Sequence, residues 1–341
     1  MDKRVIFAVA GSGKTTYIIN QLDLVRNSMI VTYTNNNVQN IRNSIIKKWG
    51  YFPNNIKLLS YFSFLHSFCF KPFLSGTYKT KGIHYAPNGN RFARNDDRYI
   101  SKGNRLYSNR IPKFLEEKDV LKDINERLSK YFTSLYIDEV QDFAGHDFNF
   151  LKSIVQANMN ILMVGDFYQH TFDTSRDGSV NKSLHDDFTK YQKKFSDMGL
   201  VLDTTTLNKS HRCSPTICNF ITESIGINID SHRGDEVKIH IVETNEEARL
   251  ILNNNEIVKL FYQKHYAFNC HSKNWGDCKG EDKYNKVCVV LNKTTHEKFV
   301  SSSLRELPAQ TRNKLYVACS RAKSDLYFFS EKVLNVRLTT K

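Results

Sequence analysis

Near the start of the chain, Ala8 to Thr15 reads AVAGSGKT. Gly11 and Gly13 free the backbone so that successive N–H groups can turn toward one anion, and Lys14 brings a positive charge to the same place. This is the phosphate-loop pattern with Ala8 at its first glycine position. Its chemistry is nucleoside triphosphate binding, with Ala10, Gly11, Ser12, Gly13 and Thr16 around the phosphates. Lys14 neutralises the β- and γ-phosphates and Thr15 holds Mg²⁺. A second stretch, LYIDEVQD from Leu135 to Asp142, supplies carboxylates. Asp138 is expected to hold Mg²⁺ and Glu139 to orient and deprotonate a water. Together the two stretches point to hydrolysis of ATP rather than its storage.

Those residues need a rigid frame. Short β-branched runs alternate with helical patterns through the first half, the signature of a parallel sheet with crossover helices. The expected strands are Arg4–Val9, Ser28–Tyr33, Ile56–Ser60, Ser134–Asp138 and Asn160–Asp166, with helices starting from Gly13, Asn36 and Phe148. Their near-continuous apolar character suggests strands covered on both faces. A second alternating set begins near Leu202, with strands at Val237–Val242, Val287–Leu291 and Asp325–Phe329 and a helix from Glu246 to Gln263. The fold class is α/β.

The segment from Gly76 to Arg110 breaks the rhythm. Lys79, Lys81, Arg91, Arg94, Arg98, Lys102, Arg105 and Arg110 alternate there with Tyr78, Tyr85, Phe92, Tyr99 and Tyr107, offset by Asp96 and Asp97. Cations for phosphates and rings for bases make a nucleic-acid surface, against the plainer reading of a solvated insertion. The net charge of +14 over 341 residues points the same way, toward a polyanionic partner. No run approaches a membrane span and Lys3-Arg4 precede only a short apolar stretch, so a cytoplasmic protein is expected. The seven cysteines form no Cys-x-x-Cys pair. His265, Cys270, His271 and Cys278 cluster without a familiar zinc spacing, and buried free thiols are the expected state.

At Asp138-Glu139-Val140-Gln141-Asp142 the sequence resembles superfamily 1 helicases of the UvrD, Rep and PcrA type, and further motifs follow in that family's order. TYTNNNVQNIRNSI would bring Tyr33, Thr34 and Asn35 to single-stranded DNA, and FSFLHSFCF would do the same through His66-Ser67-Phe68. In MVGDFYQHTFDTSR, Gln169 would sense the γ-phosphate, and Phe172 would stack on a base unless that contact is lost at Thr174. LNKSHRCSPTICNFI places Arg212 near the γ-phosphate. In NWGDCKGEDKYNKVCVVL, Glu281 and Asp282 compete for an acidic nucleotide contact, and in KLYVACSRAKSDLYFF, Arg321 would be an arginine finger. The resemblance covers Phe7 to Phe329.

It implies two RecA-like lobes with parallel sheets. Residues 1–205 would carry the phosphate loop, the acidic motif and a small basic insertion at about 76–110; residues 206–341 would carry the finger. Hydrolysis would need both lobes closed on one nucleotide, and opening would shift the grip on the strand. The implied activity is an ATP- and Mg²⁺-dependent translocase or helicase on single-stranded DNA with 3′–5′ polarity. Met1–Ile6 lacks the glutamine that reads adenine in this family, so strict ATP selectivity does not follow from that segment. Two rival readings are an RNA-directed helicase and a nucleotide-gated module that regulates a nuclease or other effector, as in anti-phage defence.

Overall fold

A computed structural model of the chain describes residues 1–90, 92–171 and 179–334. The fold is α/β, and its main sheets are parallel throughout. The chain forms two compact units. The first comprises Met1–Phe7, Lys14–Gly165 and the segment that ends at Asp203; the second comprises Ala8–Gly13, Asp166–Thr171 and the chain from Thr204 onward.

The strands of the first unit are β1 (Lys3–Phe7), β2 (Ser28–Thr32), β3 (Ile56–Ser60), β4 (Ile83–His84), β5 (Leu106–Tyr107), β6 (Ser134–Asp138), β7 (Asn160–Gly165) and β8 (Val201–Asp203). Six of them form one sheet in the order β3-β2-β6-β7-β1-β8. β2 and β6 are buried at every residue, as expected for apolar strands covered on both faces. The register aligns Phe7 with Gly165 and Asp138 with Val164, so the phosphate loop and the acidic motif leave the same rim. α1 (Lys14–Gln21) follows the loop, and α2 (Asn35–Trp49) follows β2 with Thr34 as its N-cap.

β4 and β5 form a separate two-stranded ribbon inside the basic insertion. The insertion is anchored by part of its own aromatic content. Tyr99 stacks on Phe114 with centroids 4.8 Å apart, Tyr78 meets the same ring edge-on at 5.0 Å, and Tyr107 packs on His84 at 5.4 Å.

The second unit holds β9 (Lys209–Ser210), β10 (Asp230–Ser231), β11 (Ile239–Ile241), β12 (Ile257–Phe261), β13 (Ser272–Asn274), β14 (Lys286–Leu291) and β15 (Leu326–Ser330). β9 and β10 pair as a short ribbon; the rest form a five-stranded sheet in the order β11-β15-β14-β12-β13. Here the structure corrects the expected helix over Glu246–Gln263. A helix occupies Asn245–Asn253 only, and Ile257–Phe261 is the buried strand β12. The asparagines at 253–255 end the helix, and the apolar run after them is taken by a sheet that needs a strand between β14 and β13. Lys259 in β12 is fully buried; its Nζ donates to the Asn254 carbonyl at 2.9 Å, and burial pulls its pKa down. Among the described residues no helix is long and apolar enough to cross a membrane.

Candidate nucleotide and nucleic-acid site

In the first unit the acidic motif closes β6. Asp138 is 2% exposed and its Oδ1 has no hydrogen-bond partner. Burial pushes its carboxyl up to about 7, reinforced by the adjacent Glu139 charge and opposed by Lys14. A buried carboxylate with one unmatched oxygen near a lysine fits a divalent cation, whose charge would remove that penalty. Glu139 sits in the left-handed region at φ 57°, ψ 46°, a conformation a non-glycine residue keeps only when its surroundings enforce it. One such restraint is Gln141, fully buried, whose Nε2 donates to Glu139 Oε2 at 2.5 Å. Gly165 makes room for it: a Cβ there would collide with Gln141 Oε1 and Val140. Lys14 and Thr15 open α1 and are partly exposed, and Thr16 is exposed.

The remaining loop residues, Ala10 to Gly13, group with the second unit. Gly11 has φ +71° and Gly13 φ +85°, as the turn of a phosphate loop requires. A Cβ on Gly11 would lie 2.7 Å from Arg212 Cβ and 2.8 Å from Ser210 Oγ. Ser12 is buried and its Oγ has no partner. The Ala10 N–H donates to Tyr316 Oη at 2.8 Å, and that hydroxyl donates to Asp166 Oδ2 at 2.9 Å. Gln169 is 3% exposed, and its Nε2 donates to the same Asp166 oxygen at 2.9 Å. Asn313 donates to the His170 carbonyl at 3.1 Å. The helix Ala309–Cys319 thus holds both the loop and the glutamine segment. Phe172 and Thr174 lie outside the described residues.

Arg212 Nε donates to Asp282 Oδ1 at 2.6 Å and its Nη1 to the Ser320 carbonyl at 3.2 Å. Arg321 is 2% exposed; its Nη1 donates to the Glu281 carbonyl at 3.0 Å and its Nε to Val317 O at 3.3 Å. Burial and the nearby Arg212 charge pull the Arg321 pKa below the usual guanidinium value. The two acidic candidates therefore have different partners: the Asp282 carboxylate faces Arg212, while the Glu281 carboxylate accepts from Lys273 and Tyr284. Two arginines, one buried, meet in one unit with spare N–H donors, an arrangement that can receive phosphate oxygens.

The residues expected to touch a nucleic acid lie at the rim beyond β2 and β3 in the first unit. Thr34 caps α2 by accepting from Asn37 N at 3.2 Å, and Asn35 is exposed beside it. His66 and Ser67 fall in a π-helical turn, Phe64–Phe70; Ser67 is exposed and His66 Nε2 has no partner. Such turns concentrate at functional sites. Tyr33 is only 9% exposed, stacked on Tyr61 at 5.6 Å and edge-on to Phe62 at 5.6 Å. Asp166, Ser210, Asn313 and Tyr316 escaped the sequence reading. Tyr316 had one signal, its place in the YVACSR run, but its reach to Ala10 is 306 residues long in sequence. All seven cysteines are free, and among the described residues no three or more His, Cys, Asp or Glu side chains gather to hold a metal.

Residues 2–173 match the AAA domain family, and residues 99–330 match the viral superfamily 1 RNA helicase core domain. No curated protein sequence matches. Arterivirus nonstructural protein 10, a helicase solved in complex with DNA, superposes with a TM-score of 0.52 at 13% identity, over 98% of this chain and 63% of that one. A further crystal structure of arterivirus nonstructural protein 10 gives 0.52 at 14% identity, over 96% and 59%. At such identities the likeness is one of fold, and this chain spans about three fifths of those chains' length. With two family matches that between them run from residue 2 to residue 330, the chain belongs to the superfamily 1 helicases, in the viral RNA helicase core-domain family.

Proposed function

We propose that this chain is the motor core of a Mg²⁺-dependent ATPase that moves along a single strand of nucleic acid. The observation that carries the reading is Asp138, a buried carboxylate with an unmatched oxygen, followed by a Glu139 held in left-handed backbone. Thr15 and Asp138 would hold Mg²⁺, which when bound screens charge on the transferring phosphoryl group. Lys14, Thr16 and the backbone of Ala10, Gly11, Ser12 and Gly13 bind the phosphates. Glu139 orients the attacking water and takes its proton. Arg212 and Arg321 stabilise charge that builds up in the transition state, Gln169 reports on the γ-phosphate, and of the two acidic candidates Asp282 is the one whose carboxylate pairs with Arg212. In this reading residues 1–205 and 206–341 are the two RecA-like lobes. Thr34, Asn35, His66 and Ser67 line the path of the strand.

The DExQD form and the motif order support a UvrD-like motor, with DNA as its track and 3′–5′ as its direction. The description of the matched family supports RNA equally well. One experiment separates these readings: ATPase rate without polymer and with single-stranded RNA, single-stranded DNA and duplex DNA, with Lys14→Ala as control. Strong stimulation by one single strand, absent in Lys14→Ala, is expected, and the better polymer names the track. Turnover indifferent to every nucleic acid would sink the motor reading.

A further inference from the structure

The basic insertion carries five rings in its sequence, and the structure gives four of them distinct surroundings, while Phe92 stands 89% exposed. Tyr78 and Tyr99 are spent on Phe114, and Tyr107 on His84. Tyr85, directly after β4, stays 67% exposed. Its ring meets half-buried Phe62 at 5.4 Å and an interplanar angle of 89°, so the two rings form an inside corner. Phe62 is braced from below: Tyr33 meets it at 5.6 Å, Tyr61 at 5.7 Å, and Phe143, next to the acidic motif, packs on Tyr61 at 4.7 Å. A rigid, open corner of two rings is costly to leave in water and suits a flat partner with a π-face.

The surroundings say which partner. Lys81 and Arg105 are exposed at the start of the two strands of the same ribbon, where Lys81 N donates to Asn104 O at 2.8 Å and Arg105 lies over Gly82. Neither has an acidic partner among the described residues. Lys79 and Lys102 are exposed close by in sequence. Unpaired cations beside open rings match alternating phosphates and bases of an unpaired strand; a duplex keeps its base faces stacked inside.

We propose that Tyr85 and Phe62 form a corner on which one unpaired base of a single-stranded nucleic acid stacks, with Lys81 and Arg105 holding the adjoining phosphates. The proposal rests on the motor reading and deepens it by assigning the base contact to the insertion. In this arrangement Tyr33 braces Phe62 and does not itself meet the strand.

The test is fluorescence anisotropy of labelled single-stranded oligouridylate and oligothymidylate binding to the full chain. Tyr85→Ala should bind about ten- to a hundredfold more weakly, the worth of one stacked base. Tyr85→Phe, which keeps the ring, should bind like the parent. So should Tyr51→Ala, which removes another exposed ring, one that lies ahead of β3. The gap between parent and Tyr85→Ala should vanish on an oligomer without bases. If Tyr85→Ala keeps parental affinity while the parent binds well, the corner is refuted and the motor reading survives. If the parent binds no oligomer, both fall.

Discussion

The hydroxyl of Tyr316 is the best single place to test how the second unit holds the phosphate loop. Tyr316→Phe removes one oxygen and leaves no cavity larger than that atom. Tyr316 and Ala10 are 0% exposed and Asp166 is 1% exposed, so no water replaces what is lost. The Ala10 N–H loses its acceptor at 2.8 Å, and Asp166 Oδ2 loses a donor at 2.9 Å but keeps Gln169 Nε2. An unsatisfied buried N–H costs about 1–3 kcal/mol, and the weakened carboxylate adds about 1 kcal/mol, because Gln169 Nε2 and the Tyr168 N–H still donate to it. The expected loss is therefore about 2–4 kcal/mol, read as a lower urea midpoint at unchanged slope. A loop released from this tie should also show a higher KM for ATP. A change below about 0.5 kcal/mol would refute the reasoning, since it would mean the chain satisfies Ala10 some other way.

Glu139→Gln should abolish turnover while nucleotide binding, followed by a fluorescent analogue, persists, because the amide keeps the shape but cannot take a proton. Arg321→Ala should retain nucleotide binding and lose on the order of a thousandfold in turnover; near-normal rates would contradict its role. Gly11→Ala forces an L-residue into φ +71° against Arg212 and Ser210, so it should cost on the order of 1–3 kcal/mol in urea unfolding and weaken nucleotide binding.

Local backbone geometry was the most legible part of the chain. A phosphate loop announces itself through glycines that the turn demands, and the expected strand Ser134–Asp138 is β6 with the same ends. Neighbouring strands differ from expectation by a residue or two at an end, whereas the helix expected from Phe148 opens three residues earlier, at Gly145. The error at Glu246–Gln263 has a different origin: a helix and a buried strand share apolar character, and only the vacancy beside β14 decides between them. The insertion shows a further limit. Its alternating rings and cations look uniform in sequence, yet packing on Phe114 removes two of the rings from use. Long-range ties such as Tyr316 to Ala10 leave no periodic trace, because the partners are chosen by the fold.

Lys259 carries a practical consequence of its place in β12. Acylating reagents need a lysine amine that is both neutral and reachable. Burial shifts this amine toward the neutral form, yet at 0% exposure no reagent can meet it while the sheet is closed. Once β12 opens, the same amine joins the surface lysines in reactivity. Mass spectrometry of the peptide bearing Lys259, sampled during slow labelling under native conditions, would thus act as a clock for how often this sheet comes apart.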